Sequence, residues 1–236
     1  MTQEKISKEL KKYADKEKAK TLQKFFKTGP GEYAEGDIFL GIQVPVLRKL
    51  AKKYSDLNIP EVVMLLKSRF HEERLFALLV LMLRYAKSST GQNKKTIYTL
   101  YLAHSTYINN WDLVDLSAAH IVGAFLEHRS KNVLYRLAKS ESMWQRRIAI
   151  ISTFHFIKHG RFNETLKIAR LLIKDREDLI HKAVGWMLRE VGKRDINVET
   201  EFLRTHYNDM PRTMLRYAIE RFPANKRKAF LRGLIA

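Results

Sequence analysis

Strongly apolar helical segments recur at a fixed interval along the second half of this chain. They begin near Trp111, Met143, Asp178 and Pro211, about 32–35 residues apart, and a shorter helical segment fills each gap. No stretch shows the period-two alternation of a half-buried strand, and the five prolines fall at or near helix ends and loops. The pattern therefore predicts an all-α chain. The remaining expected helices cover 3–27, 44–54, 60–66, 71–87 and 96–104 in the first half. In the second half they cover 112–128, 130–139, 143–158, 163–174, 176–193, 198–207, 211–222 and 224–234. Gly29, Pro30, Gly31 and Gly36 break the first of them and predict a loop to about Asp37.

Paired helices at this spacing predict a curved α-solenoid of HEAT-like repeats, whose concave face offers an extended binding surface. An irregular helical bundle is the alternative. One domain over 1–236 is expected, with an N-terminal helix and loop over 1–36 and helical repeats over 37–236. Charge narrows the partners. Lys and Arg total 44 against 25 Asp and Glu, a net charge of +19. Such an excess points to nucleic acid, an anionic membrane or an acidic partner, and duplex nucleic acid fits a concave basic face. The chain has no cysteine, which excludes disulfides, thiolate nucleophiles and cysteine-based zinc sites. The N-terminal twenty residues are charged throughout and have no apolar core, unlike a secretory signal. No apolar run approaches the roughly 18 residues of a membrane span. These features predict a soluble, cytoplasmic protein.

The stretch HKAVGWMLREVGKRD, residues 181–195, concentrates the functional signal. With Ile180, its residues Val184, Met187, Leu188 and Val191 cover one helical face. Trp186 points roughly the opposite way, with Lys182, Arg189 and Lys193 within about 60° of it in projection. A tryptophan so placed packs on a neighbouring helix or serves a ligand, and its cations favour a polyanion. Lys182, Arg189, Lys193 and Arg146 are the candidate phosphate contacts. The lysines of the N-terminal helix read as a solvated face that adds general attraction.

Two charges sit where the pattern expects apolar residues. Asp115 lies among Ala118, Ala119, Val122 and Leu126, and Arg147 lies in the middle of the face made by Met143, Ile150, Ile151 and Phe154. Each falls near the start of its helix, one repeat apart. A charge on an apolar face is costly unless paired. Either the two form an ion pair between repeats, or both reach a cleft where a desolvated carboxylate faces a developing positive charge. Trp111 is one turn before Asp115 on the same side of its helix. Trp111, Asp115, Arg147 and Trp186 come from three successive repeats and could line one site. His155 and His159 have the i, i+4 spacing of zinc ligands, but no third ligand is apparent in the sequence, so no metal is expected.

The chain resembles the DNA alkylation repair glycosylases of the AlkD type, built from HEAT-like repeats. The resemblance runs from about residue 22 to 222. It is carried by DIFLGIQVPVLRKLAKKY (37–54), NNWDLVDLSAAHIVG (109–123), MWQRRIAI (143–150) and HKAVGWMLREVGKRD (181–195). It implies hydrolysis of the N-glycosidic bond of N3- and N7-alkylated purines in double-stranded DNA, without base flipping, cofactor or metal, by a monomer. It assigns the catalytic carboxylate to Asp115, the lesion-contacting tryptophans to Trp111 and Trp186, and the active-site arginine to Arg147. The family's N-terminal aromatic is a tyrosine in its best-known type. Here the region reads LQKFFKTGPGEYAEG, Phe25 is the nearest match, and the loop after it is longer. Members without the catalytic residues bind DNA without excision, and a non-catalytic duplex-binding module is the alternative. The retained set argues for the enzyme.

Overall fold

The structure, a computed structural model, describes residues 2–234. Among these residues all regular structure is helical, apart from one parallel bridge between Ile38 and Phe70. No described helix is long and apolar enough to cross a membrane. The chain divides into two compact units, Met1–Ser117 and Ala118–Ala236.

The first unit contains α1 (Gln3–Lys11), α2 (Lys16–Phe25), α3 (Val44–Lys53), α4 (Ile59–Leu66), α5 (His71–Lys87), α6 (Gly91–Ala103) and the start of α7 (Trp111–Ala118). Helix α5 is its axis. Residues 71–81 are buried without interruption, flanked by α3 and α4, and α1 packs on α4. The single helix expected over 3–27 is two helices. The Asp15 carboxylate accepts from the amides of Glu17 and Lys18, both at 3.1 Å, and starts a new helix. The loop after α2 is pinned from α5. The Glu72 carboxylate accepts from the amides of Leu40 at 2.8 Å, Gly41 at 2.7 Å and Ile42 at 3.2 Å. Gly41 has φ +82°, and a Cβ there would collide with the carbonyl of Asp15, so glycine alone fits this crossing.

The second unit continues with a π-helical turn (Ala119–Gly123), α8 (Ala124–Leu126), α9 (Asn132–Ala138), α10 (Met143–Ser152), α11 (Phe154–Lys158) and α12 (Asn163–Leu171). It ends with α13 (Asp178–Gly192), α14 (Ile196–His206), α15 (Arg212–Ala218) and α16 (Ala224–Arg232). The helix expected over 143–158 breaks at Thr153. There the Ser152 hydroxyl donates to Ile148 O at 2.6 Å and the Thr153 hydroxyl to Ile150 O at 2.7 Å, drawing the backbone out of register. Helix α13 packs on α10, α12, α14 and α15. Its Ile180, Val184, Met187, Leu188 and Val191 are all buried, as their spacing requires.

One contact is repeated inside this unit. A Cβ on Gly123 would strike the carbonyl of Ser152 and the Cβ of His155, and a Cβ on Gly185 would strike the carbonyl of Met214 and the Cβ of Tyr217. In both cases the partners follow the glycine by 29 and 32 residues. Two helix crossings of the same geometry, offset by the same sequence distance, are what stacked helical repeats produce.

Candidate functional site

In the first unit four rings form a cluster, with His71, Phe39 and Phe26 in mutual contact. His71 stacks on Phe39 at 4.3 Å, Phe39 on Phe26 at 4.9 Å, and Phe26 on Trp111 at 5.0 Å with planes 15° apart. Phe25 meets Phe26 and Trp111 edge-on, at 5.2 Å and 5.9 Å, and is 62% exposed. Its neighbour Phe26 is buried. Trp111 is half-buried and packs against the core made by Ala19, Phe26 and Phe39. A cavity of about 300 Å³ lies against this cluster, lined mainly by Leu22, Phe26, Phe39, Ile42, Leu75 and His71.

Buried charges hold the His71 side of the cluster. His71 Nδ1 lies 2.9 Å from Asp37 Oδ2 and its Nε2 lies 2.8 Å from Asp112 Oδ2. Arg74 also binds the Asp37 carboxylate, and Asn110 Nδ2 donates to it at 3.3 Å. Asn110 Oδ1 in turn accepts from the Trp111 amide at 2.8 Å, at the start of α7. Burial by itself would lower the His71 pKa, but the charge and hydrogen bond of Asp112, with Asp37, raise it to about 9. Carboxylates can only accept, so the imidazolium donates through both nitrogens. Burial likewise pushes Asp37 up, and its bonds to His71 and Arg74 overcome this and hold it below the usual carboxylate range. The first turn of α7, with Trp111, is therefore anchored by an ionic network.

Asp115 is half-buried, one turn beyond Trp111 in the same helix. Nearby, the Tyr101 hydroxyl is buried against the Ser117 hydroxyl at 2.8 Å. Burial raises the Tyr101 pKa, and the negative charge of Asp115 raises it further.

In the second unit Trp186 is half-buried. Its Nε1 donates to Glu190 Oε1 at 3.3 Å, and its ring lies 6.0 Å from Phe154. Lys193 Nζ bonds Glu190 Oε1 at 2.5 Å and Arg194 bonds Glu190 Oε2 at 3.2 Å, while Lys158 sits 4.5 Å over the Phe154 ring. Burial pushes Glu190 up, and the bonds from Lys193, Arg194 and Trp186 outweigh it, so the group stays a carboxylate. The indole N–H is thus held by a carboxylate that also binds two cations.

The expected basic residues divide into two kinds. The Lys182 side chain is over a third exposed and pairs with Asp178 at 2.7 Å, and Lys193 is exposed. Arg189 is mostly covered and pairs with Glu220. Arg146 is 8% exposed, with Nε 2.6 Å and Nη2 3.1 Å from the two oxygens of Asp175 and Nη1 on the carbonyls of Ser140 and Glu141. Its guanidinium ties the start of α10 to the α12–α13 connection. Arg147 is 5% exposed and donates to the carbonyl of Leu179 in α13. Asp37, His71, Arg74 and Asn110 do not stand out by helical spacing, although Asp37 and Asn110 lie inside the stretches that carry the resemblance.

The fold has a solved counterpart. It is similar to the structure of a predicted DNA alkylation repair enzyme from Enterococcus faecalis, with a TM-score of 0.67 and 17% identity, covering 89% of this chain and 97% of that one. No curated protein matches the chain significantly. The likeness in fold and the element order define an all-helical protein built from stacked helical repeats. The family model described as DNA alkylation repair enzyme matches residues 6–222, and the chain belongs to that family. Its role is in the repair of alkylated DNA, and DNA is its partner.

Proposed function

We propose that the protein is a monofunctional glycosylase that hydrolyses the N-glycosidic bond of cationic N3- and N7-alkylated purines, such as 3-methyladenine and 7-methylguanine, in duplex DNA. The observation that carries the reading is Asp115, a half-buried carboxylate one helical turn beyond a tryptophan whose backbone is anchored by Asn110 and whose indole is stacked on Phe26.

The chemistry follows from the charge on the lesion. Alkylation makes the purine a cation, so it leaves without strong acid catalysis. The electron pair of the bond goes with the base and neutralises it, and positive charge appears on the deoxyribose. A fixed carboxylate stabilises that oxocarbenium-like sugar and orients the water that adds to it. The water's proton passes to Asp115 or to solvent. The faces of Trp111 and Trp186 attract a cationic nucleotide by about 0.5–2 kcal/mol each. Arg147 supports the site. Phe25 offers an apolar edge beside Trp111 in place of the hydroxyl of a tyrosine. Lys182, Lys193 and Arg189 serve phosphates, whereas Arg146 acts through its tie to Asp175. The base need not leave the helix stack, and the reaction needs no metal or cofactor. A cytoplasmic monomer suffices.

Asp115→Asn tests the reading because it keeps the shape and removes the charge. Release of 7-methylguanine from methylated duplex DNA should fall at least about tenfold, or about 1.4 kcal/mol of transition-state stabilisation, with DNA affinity unchanged or higher. A variant that melts early but excises at the normal rate while folded would make Asp115 structural. A wild-type chain that binds duplex DNA and releases no base would be the non-catalytic module instead.

A further inference from the structure

One cluster of metal-binding side chains lies outside everything assigned above. Glu127 follows α8, His155 is in α11, and His159 caps α11, all within the second unit. One ligating atom from each lies within 4.8 Å of the others. The carboxylate that the sequence does not reveal is 28 residues before His155, brought there by the fold. His155 Nε2 is 2.9 Å from Glu127 Oε2, and the two imidazoles lie 4.7 Å apart. His128 Nε2 is also 4.0 Å from Glu127. Three of the chain's eight histidines therefore gather on one carboxylate.

We propose that Glu127, His155 and His159 form a binding site for a divalent transition-metal ion of the zinc class. Two imidazoles and a carboxylate are the donor set of a three-ligand zinc site, which leaves a fourth position to water. The positions already suit such an ion. Ligand atoms about 2.0–2.2 Å from a tetrahedral metal are separated by roughly 3.3–3.6 Å, so rotation of exposed side chains closes the cluster. His159 is half exposed and can move. Its Nδ1 lies 3.9 Å from Glu127 Oε1 and donates to the carbonyl of His155 at 2.8 Å, so this nitrogen exchanges the carbonyl for a metal when the ring turns. Arg161 now shares the Glu127 carboxylate at 2.5 Å. It is a surface cation that a doubly charged ion displaces. The bound ion would join the end of α8 to α11 and stabilise the second unit. None of these groups belongs to the proposed glycosylase chemistry, so the two readings stand or fall separately.

Titration of the untagged full-length chain with Zn²⁺ tests the site. One saturable equivalent is expected, with a Kd in the micromolar range or tighter, and the melting temperature should rise with free zinc as binding to the folded state requires. His159→Ala, an exposed position, and His155→Ala should each weaken binding at least about tenfold, while His128→Ala should stay within about threefold. Co²⁺ bound in place of zinc should give the visible absorption of a tetrahedral site, lost in His159→Ala. Base release from methylated DNA should be unaffected by a chelator. Absence of saturable binding up to about 1 mM zinc, or binding that persists in the folded His155→Ala/His159→Ala double variant, would overturn the proposal.

Discussion

His71 Nε2 stands 2.8 Å from Asp112 Oδ2 while its Nδ1 reaches Asp37 on the other side, so one buried imidazolium joins the loop before α3 to the first turn of α7. That turn carries Trp111. The His71 pKa is raised to about 9, above its unfolded value near 6.5. Its stabilising contribution is therefore complete below about 6.5 and is lost as the pH rises through about 9. His71→Gln should cost on the order of 3 kcal/mol at neutral pH, because it leaves two carboxylates short of a buried partner. The melting-temperature gap between wild type and variant should shrink when both are measured above pH 9. A gap independent of pH would mean that the imidazole is neutral in the folded state.

Trp186 gives a second comparison. Its indole is half-buried and donates to Glu190, so Trp186→Ala should cost only about 1 kcal/mol of stability. Excision of 7-methylguanine should nevertheless slow at least about tenfold. Thermal melts and single-turnover base release, measured on the same preparation, separate these effects. A large loss of stability at a normal rate would make Trp186 a packing residue.

Salt dependence tests the electrostatics. Binding to undamaged duplex DNA should weaken steeply with salt. Replacing both Lys182 and Lys193 by Ala should reduce the slope of the double-log plot by about 1.8, since each phosphate contact contributes about 0.9. The same substitutions should weaken binding to damaged DNA equally. An unchanged slope would exclude the two lysines from the phosphate contacts.

Glu199 carries an alkaline liability in the second unit. It is buried, its Oε1 has no partner, and burial raises its pKa to about 8 despite the charges of Lys226 and Arg189. Its unfolded value is near 4.3, so the stability it contributes is complete below that value and is lost as the pH rises through about 8. Glu199→Gln should match the wild type near pH 5 and melt higher above pH 8.5. Identical melting curves of the two proteins at alkaline pH would refute this.

Apolar spacing revealed the helices of this chain because each one needs only its own sequence to declare its face. Residues 71–87 and the starts of α10, α13 and α15 follow from periodicity within a residue or two. The breaks at Asp15 and Thr153 did not, because single side chains bonding to backbone decide them against an unbroken apolar pattern. Among the candidate residues, Asp115, Arg147 and Trp186 declared themselves by standing off the apolar pattern of their own helices. Asp37, His71, Arg74 and Asn110 did not, since their meaning lies in contacts across 34, 37 and 73 residues of sequence. The same holds for Glu127, whose histidine partners were visible without it.

The paired crossings at Gly123 and Gly185 divide the second unit into positions free to vary in length and positions locked in phase. Each glycine seats a particular carbonyl, Ser152 O or Met214 O, on the next layer. Adding or removing one residue within α10 or α15 would turn that carbonyl by about 100° and slide it by about 1.5 Å, placing a side chain where the backbone now nests. A change of length in the connection ahead of either helix leaves the seat intact. Insertions and deletions should therefore be confined to the turns between layers, and the layers themselves can move only in whole helical turns.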